Sequence, residues 1–215
     1  MKVLITAGPT REPIDPVRYI GNRSSGKMGA ALAAAALKAG HLVTLILGPG
    51  TVPMPGGARQ IAVETAAQMH DAVLREFPAH DLLIMAAAVA DFRPRQIQPD
   101  KVSRTGPLTI ECEPTEDVIA NAGRIKRPDQ RTIGFSLESA SNLIRARQKL
   151  KRKRLDLMVY NPIATMESPS VGAILLWPDG RSKELSMLSK PDFARKLIER
   201  VPELFKTSRK VARRR

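Results

Sequence analysis

Short runs of consecutive apolar residues alternate along the chain with longer stretches that are apolar on one side only. Three such runs lie at residues 2–6, 41–47 and 81–86. Unbroken apolar runs of this length predict β-strands that are covered on both faces, as in a parallel sheet. The alanine-rich stretch 25–39 and the amphipathic stretch 65–77, whose expected N-cap is Thr65, predict the helices between them.

The second half of the chain continues this alternation less regularly. Further strands are predicted at residues 108–112, 132–136 and 155–160, and further helices at 115–125, 138–154 and 191–201. The apolar segments 171–177 and 183–187 flank a Pro-Asp-Gly turn, which is typical of a β-hairpin. The pattern predicts an α/β fold: a Rossmann-like, doubly wound, mostly parallel sheet flanked by helices, with an antiparallel addition.

Proline-rich polar segments separate several of these elements and are expected to be loops. They lie at residues 7–24, 51–60 and 91–106. Loops of such length within a compact domain usually carry function. We expect residues 1–205 to form a single domain, followed by a basic, disordered tail at 206–215.

Positive charge is concentrated rather than spread over the chain. The 215 residues carry a formal net charge of +14, and the segments 145–154 and 206–215 hold seven and six basic residues with no acidic one. The first cluster is either a solvated helix face or a polyphosphate site, and the second is either a frayed end or a weak nucleic-acid contact. Aromatic residues make up only 4%, which argues against base-stacking on single strands.

Composition also limits the compartment in which this protein works. The longest apolar run has nine residues, 82–90, which is too short to cross a membrane. No secretory signal is visible at the N-terminus. The single cysteine, Cys112, excludes a disulfide or a cysteine-based zinc site within one chain. We therefore expect a cytoplasmic protein without a membrane partner.

The motif GNRSSGKMG, residues 21–29, lies where the first helix is expected to begin. Its backbone N–H groups and the helix dipole predict an anion site, with Ser24, Ser25, Gly26 and Lys27 as the phosphate loop. The spacing resembles that of a P-loop, but Met28 replaces the magnesium-binding Ser/Thr and the motif lies far beyond the strand, so a P-loop NTPase is rejected. A glycine-adapted helix start without a ligand is the alternative.

Other candidates follow the third predicted strand or lie in the basic cluster. Asp91 follows that strand and could accept hydrogen bonds from a base or a ribose, or could merely cap a loop. Lys149 and Lys153 are four residues apart and share one helix face, so an anion there would offset their repulsion. Lys101, Lys149 and Lys153 are candidates for triphosphate contacts, but for each one taken singly an ordinary solvated side chain is the favoured interpretation. The dinucleotide motif G-x-G-x-x-G does not follow the first strand.

Five segments together carry a resemblance to a known family. They read VLITAGPTREPIDPVRYIGNRSSGKMG, AAVADFRP, PDK at 99–101, GFSLES at 134–139 and ARQKLKRKRLDLMVYN. The chain resembles phosphopantothenoylcysteine synthetase, the synthetase half of the bacterial bifunctional coenzyme A biosynthesis flavoprotein, from residue 2 to about residue 205.

The resemblance implies a ligase that joins 4′-phosphopantothenate to L-cysteine. CTP would activate the carboxylate as an acyl-cytidylate with release of pyrophosphate, magnesium would assist, and the amine of cysteine would displace CMP. The resemblance also implies a homodimer, and a separate decarboxylase partner is a further expectation. The flavin-dependent half has no counterpart in this sequence, so no FMN is expected.

The resemblance further implies roles for individual residues. Asn22 and Lys101 are implied to be catalytic, Lys101 on a mobile strap over the site. Arg18 and Asn22 are implied to contact the phosphopantothenate part. Positions implied to bind the nucleotide are Met85, Ala86, Ala87, Asp91, Lys101, Glu116, Asp117, Val118, Ile119, Phe135, Lys149 and Lys153. The metal ligands stay unassigned.

Two departures from the family pattern bear on these expectations. Residues 164–169 form a shorter segment than the family usually has, and Glu116 replaces a proline before Asp117. The preference for CTP over ATP therefore rests on the motifs as a whole. Two other interpretations stay open: a nucleotide- or nucleic-acid-binding module without ligase activity, and an NAD(P)-dependent Rossmann reductase, which the missing glycine motif disfavours.

Overall fold

The computed structural model describes residues 1–50, 52–138, 143–162 and 170–212, with side chains left out at 138, 162 and 207–212. The strands are β1 (Lys2–Ala7), β2 (Arg11–Pro13), β3 (Tyr19–Gly21), β4 (Leu42–Leu47), β5 (Arg59–Ala62), β6 (Leu82–Met85), β7 (Phe92–Pro94), β8 (Cys112–Pro114), β9 (Arg131–Glu138), β10 (Leu157–Pro162), β11 (Ser170–Leu176) and β12 (Ser182–Ser189). The α-helices are α1 (Lys27–Lys38), α2 (Ala66–Glu76), α3 (Val118–Ile125), α4 (Leu143–Arg152) and α5 (Lys190–Ala212).

One eight-stranded sheet forms the centre of the structure, in the order β12-β11-β10-β9-β6-β1-β4-β5. The strands from β10 to β5 pair in parallel, whereas β11 and β12 pair antiparallel. Counted along the chain, the parallel strands follow the order 3-2-1-4-5-6 of a Rossmann sheet. The predicted doubly wound fold with an antiparallel hairpin is therefore confirmed.

Helices cover both faces of this sheet. Leu32 of α1 and Phe193 of α5 are buried in one apolar layer with Ile5 of β1. On the other face, Met69 of α2 and Leu150 of α4 are buried with residues from the opposite sides of the same strands. Burial on both faces explains why the central strands are unbroken apolar runs in the sequence.

Local capping agrees with the sequence at α2. The Thr65 hydroxyl accepts a hydrogen bond from the Gln68 N–H at 3.2 Å, and the Gln68 side chain reaches back to the Thr65 N–H. This capping box satisfies amide groups that have no partner inside the helix. Glu12, buried in β2, accepts a further hydrogen bond from the Ala66 N–H at 2.8 Å.

The expected loops contain short strands that the pattern did not reveal. Strands β2 and β3 form a hairpin within 7–24, and β7, within 91–106, pairs beside it with β8. The strand predicted at 108–112 is displaced, since β8 covers 112–114. Strand β5 lies in the segment 51–60 and just beyond it, at the edge of the main sheet. Three- and four-residue strands with exposed side chains lack the run of apolar residues on which a strand prediction depends.

The C-terminal helix also extends further than expected. Helix α5 runs to Ala212, so it covers residues 206–212, where the sequence indicated a tail. The predicted helix over 138–154 is observed from Leu143 to Arg152, and residues 139–142 lie outside the described part of the chain. The shortened segment 164–169 also lies outside it. Cys112 is exposed at the start of β8.

Candidate functional site

The carboxyl ends of the parallel strands open into a crevice where the strand order reverses. Strands β4 and β5 extend the sheet on one side of β1, and the later strands β6, β9 and β10 extend it on the opposite side. Ligands of open α/β sheets bind at such a switch point. A cavity of about 870 Å³ lies there, and residues from the ends of β6 and β9, from α3 and from α4 line it.

The backbone that follows β6 is tied tightly to the end of β1. The Ala87 N–H donates to the Thr6 hydroxyl at 3.1 Å, and the Ala90 N–H donates to the Thr10 hydroxyl at 2.9 Å. Both threonines are fully buried, and the Ala88 N–H bonds the Gly8 carbonyl. The small side chains at 86–88 therefore form a fixed floor that a ligand can approach closely.

A second cavity, of about 200 Å³, adjoins the first at the start of α1. It shares residues 87–88 and 135–137 with the larger cavity and is otherwise lined mainly by residues 23–29. Gly26 caps α1 in a left-handed conformation with φ of 76°, which favours glycine. A Cβ on Gly29 would lie 2.3 Å from the Ala7 Cβ, so this glycine lets α1 approach β1.

Charged residues of both signs line the larger cavity. The Lys153 ammonium lies 3.0 Å from the Asp117 carboxylate, which also caps α3 by accepting the Ala120 N–H at 3.2 Å. Lys149 lines the same cavity one helical turn before Lys153. Asp91 and Glu116 add two exposed carboxylates. This rim suits a ligand with both anionic and hydrogen-bonding groups.

The structure brings most of the predicted site residues to these two cavities. Lining the larger cavity are Asn22, Met85, Ala87, Asp91, Glu116, Asp117, Val118, Ile119, Phe135, Lys149 and Lys153. Lining the smaller one are Ser24, Ser25, Gly26, Lys27 and Ala86, together with Ala87 and Phe135. The Asn22 amide donates to the Val89 carbonyl at 2.8 Å, which fixes this side chain at the mouth of the crevice.

Arg18 and Lys101 line neither cavity. Arg18 forms an ion pair with Asp15 at 2.9 Å and donates a hydrogen bond to the Val102 carbonyl. Lys101 is exposed in the segment between β7 and β8. The roles that the family resemblance implies for these two residues stay predictions.

Sequence reasoning missed Asn161 as a site residue. Asn161 lies near the end of β10, lines the smaller cavity and is 8% exposed. Its Oδ1 atom is buried without a hydrogen-bond partner in the described structure. An unpaired buried acceptor is costly, and a donor on a ligand or a bound water would satisfy it. The only signal in the sequence is the pair Asn161-Pro162 directly after an apolar run, which also marks an ordinary turn.

Two kinds of feature are absent from the described residues. No helix in that part of the chain is long and apolar enough to cross a bilayer. Among the same residues, no group of three or more His, Cys, Asp or Glu side chains could hold a metal ion by itself.

Known proteins share both this sequence and this fold. A family model for the DNA/pantothenate metabolism flavoprotein C-terminal domain matches residues 1–204. The chain is 40% identical over 209 residues to the coenzyme A biosynthesis bifunctional protein CoaBC of Vibrio vulnificus, covering 94% of this chain and 52% of that protein. It is also 40% identical over 211 residues to CoaBC of Bacillus subtilis, covering 95% of this chain and 52% of that protein.

The chain thus spans about half the length of the curated relatives that it matches. A crystal structure of the C-terminal domain of CoaBC superimposes with a TM-score of 0.83 at 34% identity, covering 96% of both chains. By sequence and by structure, the chain belongs to the DNA/pantothenate metabolism flavoprotein C-terminal domain family, which includes the C-terminal synthetase domain of CoaBC.

Proposed function

We propose that this chain is a phosphopantothenate–cysteine ligase that uses CTP. The proposal is that it joins 4′-phosphopantothenate to L-cysteine through an acyl-cytidylate, as a step of coenzyme A biosynthesis. One observation carries it: two adjoining cavities, one rimmed by lysines and one at a helix N-terminus, meet above the small side chains at 87–88. A nucleotide and a phosphorylated acid could therefore meet with their reacting groups side by side.

The chemistry explains why the acid must be activated. A free carboxylate is a poor electrophile because attack by an amine would have to expel oxide. In the proposed first step a carboxylate oxygen attacks the α-phosphorus of CTP and pyrophosphate leaves. In the second step the cysteine amine attacks the acyl carbon, the carbon–oxygen bond to phosphate breaks, CMP leaves and the amine loses a proton.

Lysine side chains would reduce the main electrostatic barrier. The first step brings a carboxylate to a triphosphate, and two anions repel each other. Lys149 and Lys153 lie on the wall of the larger cavity, where cations would offset that repulsion and stabilise charge that develops on the phosphates. The Asp117 partner of Lys153 keeps this ammonium oriented.

Asn22 is proposed to orient the acyl group. Its amide is already held by the Val89 carbonyl at the mouth of the crevice. A neutral amide can hydrogen-bond an acyl oxygen without competing as a nucleophile. Holding the reacting atoms in line contributes much of the rate enhancement in such transfers.

Magnesium fits this site as a partner of the triphosphate. Mg²⁺ commonly takes one or two protein carboxylates and completes its shell with phosphate oxygens and water. Asp91 and Glu116, both exposed on the larger cavity, would hold it, whereas Asp117 is engaged by Lys153 and the start of α3. When bound, the ion supplies positive charge that neutralises the phosphates.

A homodimer is the proposed assembly. The hairpin β2–β3 and the ribbon β7–β8 lie side by side beside the main sheet and carry exposed apolar side chains. These are Val17, Tyr19, Phe92, Ile97 and Leu108. An apolar patch of this kind suits burial against a second copy. A flavin-dependent decarboxylase is proposed as a further partner, because the matched part is about half of each relative.

Product analysis tests the proposal. The full chain is incubated with 4′-phosphopantothenate, L-cysteine and magnesium, with CTP or ATP as the only nucleotide. We expect the amide product, pyrophosphate and CMP in equal amounts with CTP, and a much lower rate with ATP. Binding of CTP without any amide product would support the non-catalytic binding module instead. In a separate binding measurement, tighter binding of NADPH than of CTP would support the reductase.

A further inference from the structure

The buried carboxylate of Asp15 lies in the turn of the β2–β3 hairpin and is 2% exposed. Its Oδ1 accepts hydrogen bonds from the N–H groups of Val17 and Arg18, both at 2.8 Å. Its Oδ2 accepts the Val102 N–H at 3.1 Å and pairs with the Arg18 guanidinium at 2.9 Å. A single side chain therefore joins two segments that are 87 residues apart in the sequence.

Val102 is held at both of its backbone polar groups. The Asp15 carboxylate accepts a hydrogen bond from the Val102 N–H, and the Arg18 guanidinium donates one to the Val102 carbonyl. A second link lies nearby, since the Gln98 N–H donates to the Ile14 carbonyl at 2.9 Å. The segment that precedes Val102 and carries Lys101 is thus fastened to the hairpin turn.

The hairpin itself is fixed to the body of the domain. Glu12 in β2 caps α2 through the Ala66 N–H, and the Arg11 N–H bonds the Glu64 carbonyl at 2.8 Å. At its other end, β3 leads directly into Asn22. One element therefore places Asn22 and, through Asp15, the residue next to Lys101.

Hydrogen bonding keeps Asp15 charged. Burial by itself raises the pKa of this carboxyl, but the N–H groups of Val17, Val102 and Arg18 and the Arg18 charge outweigh it, so the pKa lies below its usual value. The ionised form is the one that accepts all of these bonds at neutral pH.

We propose that Asp15 is a positioning residue, whose pairing with Arg18 clamps Val102 and thereby determines where Lys101 can reach. This inference rests on the proposed ligase function and on the nucleotide-contacting role that the family resemblance implies for Lys101. Asp15 touches no reacting group and acts through the segment that it holds. A role confined to closing the turn at residues 14–18 is the competing explanation.

The test compares Asp15→Asn, Asp15→Ser, Lys101→Met and the double variant Asp15→Asn/Lys101→Met in the full chain. Glu12→Gln is the matched control, because Glu12 is an equally buried carboxylate of the same hairpin, its amide replacement still accepts the Ala66 N–H that fixes the hairpin, and it has no bond to residues 95–106 in the described structure. Asp15→Ser keeps a side chain that can close the turn but cannot reach Val102. Melting temperatures identify any variant that fails to fold.

We expect Asp15→Asn and Asp15→Ser to lower kcat about 10- to 100-fold, as displaced catalytic groups do, with the KM for CTP within about twofold. The double variant should be no slower than Lys101→Met alone, because Asp15 would act only through Lys101. Losses that multiply in the double variant, or an equal loss in Glu12→Gln, would overturn the proposal.

Hydrogen exchange tests the clamp without using activity. Protection of the Val102 amide should fall by at least about tenfold in both Asp15 variants and stay unchanged in Glu12→Gln. Unchanged protection in the Asp15 variants would refute the clamp even if their activity fell. An inactive wild-type chain would count against the ligase function, and the exchange result would still decide the clamp.

Discussion

At the scale of single residues, we propose that the unsatisfied side-chain oxygen of Asn161 contacts the substrate. Its Oδ1 is buried at the wall of the smaller cavity, where none of the residues that the structure describes gives it a hydrogen bond. An unpaired buried acceptor lowers the free energy of unfolding by about 1–3 kcal/mol, so stability alone does not explain an asparagine at this position. A donor from the pantothenoyl chain, which carries hydroxyl and amide groups, would satisfy it.

The first prediction concerns the variant Asn161→Leu. We expect its free energy of unfolding to stay equal or to rise by about 1 kcal/mol, because the unpaired acceptor is removed. The KM for 4′-phosphopantothenate should rise about 3- to 10-fold, the equivalent of one lost hydrogen bond, while the KM for CTP stays the same. Denaturant unfolding and steady-state kinetics measure the two effects. A large loss of stability with both KM values unchanged would contradict this role.

The pH dependence of stability gives the second prediction, again at Asp15. Its pKa is depressed in the folded chain, so the unfolded chain binds its proton more readily. The stability it contributes is present above its unfolded pKa of about 4 and is lost as the pH falls through the folded pKa. We therefore expect the stability difference between wild type and Asp15→Asn to be largest near pH 7 and to shrink below about pH 4. A difference that stayed constant from about pH 7 to about pH 2 would argue against an ionised, hydrogen-bonded Asp15.

At the scale of elements, the approach of α1 to β1 shapes the smaller cavity. Gly29 permits it, because any side chain there would collide with Ala7. Gly56, in contrast, lies in a loop where an added Cβ would have no atom within 4 Å, and its φ is not positive. The two glycines therefore form a matched pair for substitution.

For Gly29→Ala we expect a loss of about 1–3 kcal/mol in the free energy of unfolding, because the overpacking outweighs the gain in helix propensity. The affinity for 4′-phosphopantothenate, which we propose binds in the smaller cavity, should fall with it, since α1 would move away from β1. For Gly56→Ala the expected change is zero to a small gain. Urea denaturation of both variants gives the answer. Equal stabilities would show that the collision at Gly29 relaxes without cost.

Elements also show how far the sequence could predict this fold. The runs around Ile5 and Ile84 were predictable because a strand that is covered on both faces is apolar throughout. The capping box at Thr65 was predictable in part, from its position ahead of an amphipathic helix. Strands β2, β3 and β7 were not, since three-residue strands follow from pairing with a neighbour and leave no periodic pattern of their own. The strand predicted at 108–112 overlaps β8 only at Cys112.

The candidate site, like the fold, could be predicted from the sequence only in part. The motif of residues 21–29 could be recognised because its glycines are required by local backbone geometry. The buried hydroxyls of Thr6 and Thr10, the orphan oxygen of Asn161 and the clamp at Asp15 could not. Each of these depends on atoms from segments distant in the sequence, so only the folded structure brings them together.

At the scale of the whole molecule, the exposed apolar side chains of the two small sheets bear on assembly. Phe92 is 56% exposed and Ile97 is 59% exposed, on the side of the domain that also carries the hairpin leading to Asn22. A dimer through this surface would bury the patch and stiffen the segment that carries Lys101.

We therefore expect the wild-type chain to sediment as a dimer at micromolar concentration. Phe92→Asp should shift it to monomers, because the charge would be buried without a partner. Ile144→Asp is the control, since Ile144 is 74% exposed on α4, outside the two small sheets, and its variant should stay dimeric. Analytical ultracentrifugation measures all three. A monomeric wild-type chain, or a dimer that Phe92→Asp leaves intact, would place the interface elsewhere.

The central claim is that the acid and CTP react with each other in the crevice before cysteine enters the reaction. It is tested most directly with 4′-phosphopantothenate in which both carboxylate oxygens are ¹⁸O. Activation at the α-phosphorus predicts that one labelled oxygen per turnover appears in CMP, as measured by mass spectrometry. Amide formation with no label in CMP would contradict the acyl-cytidylate route.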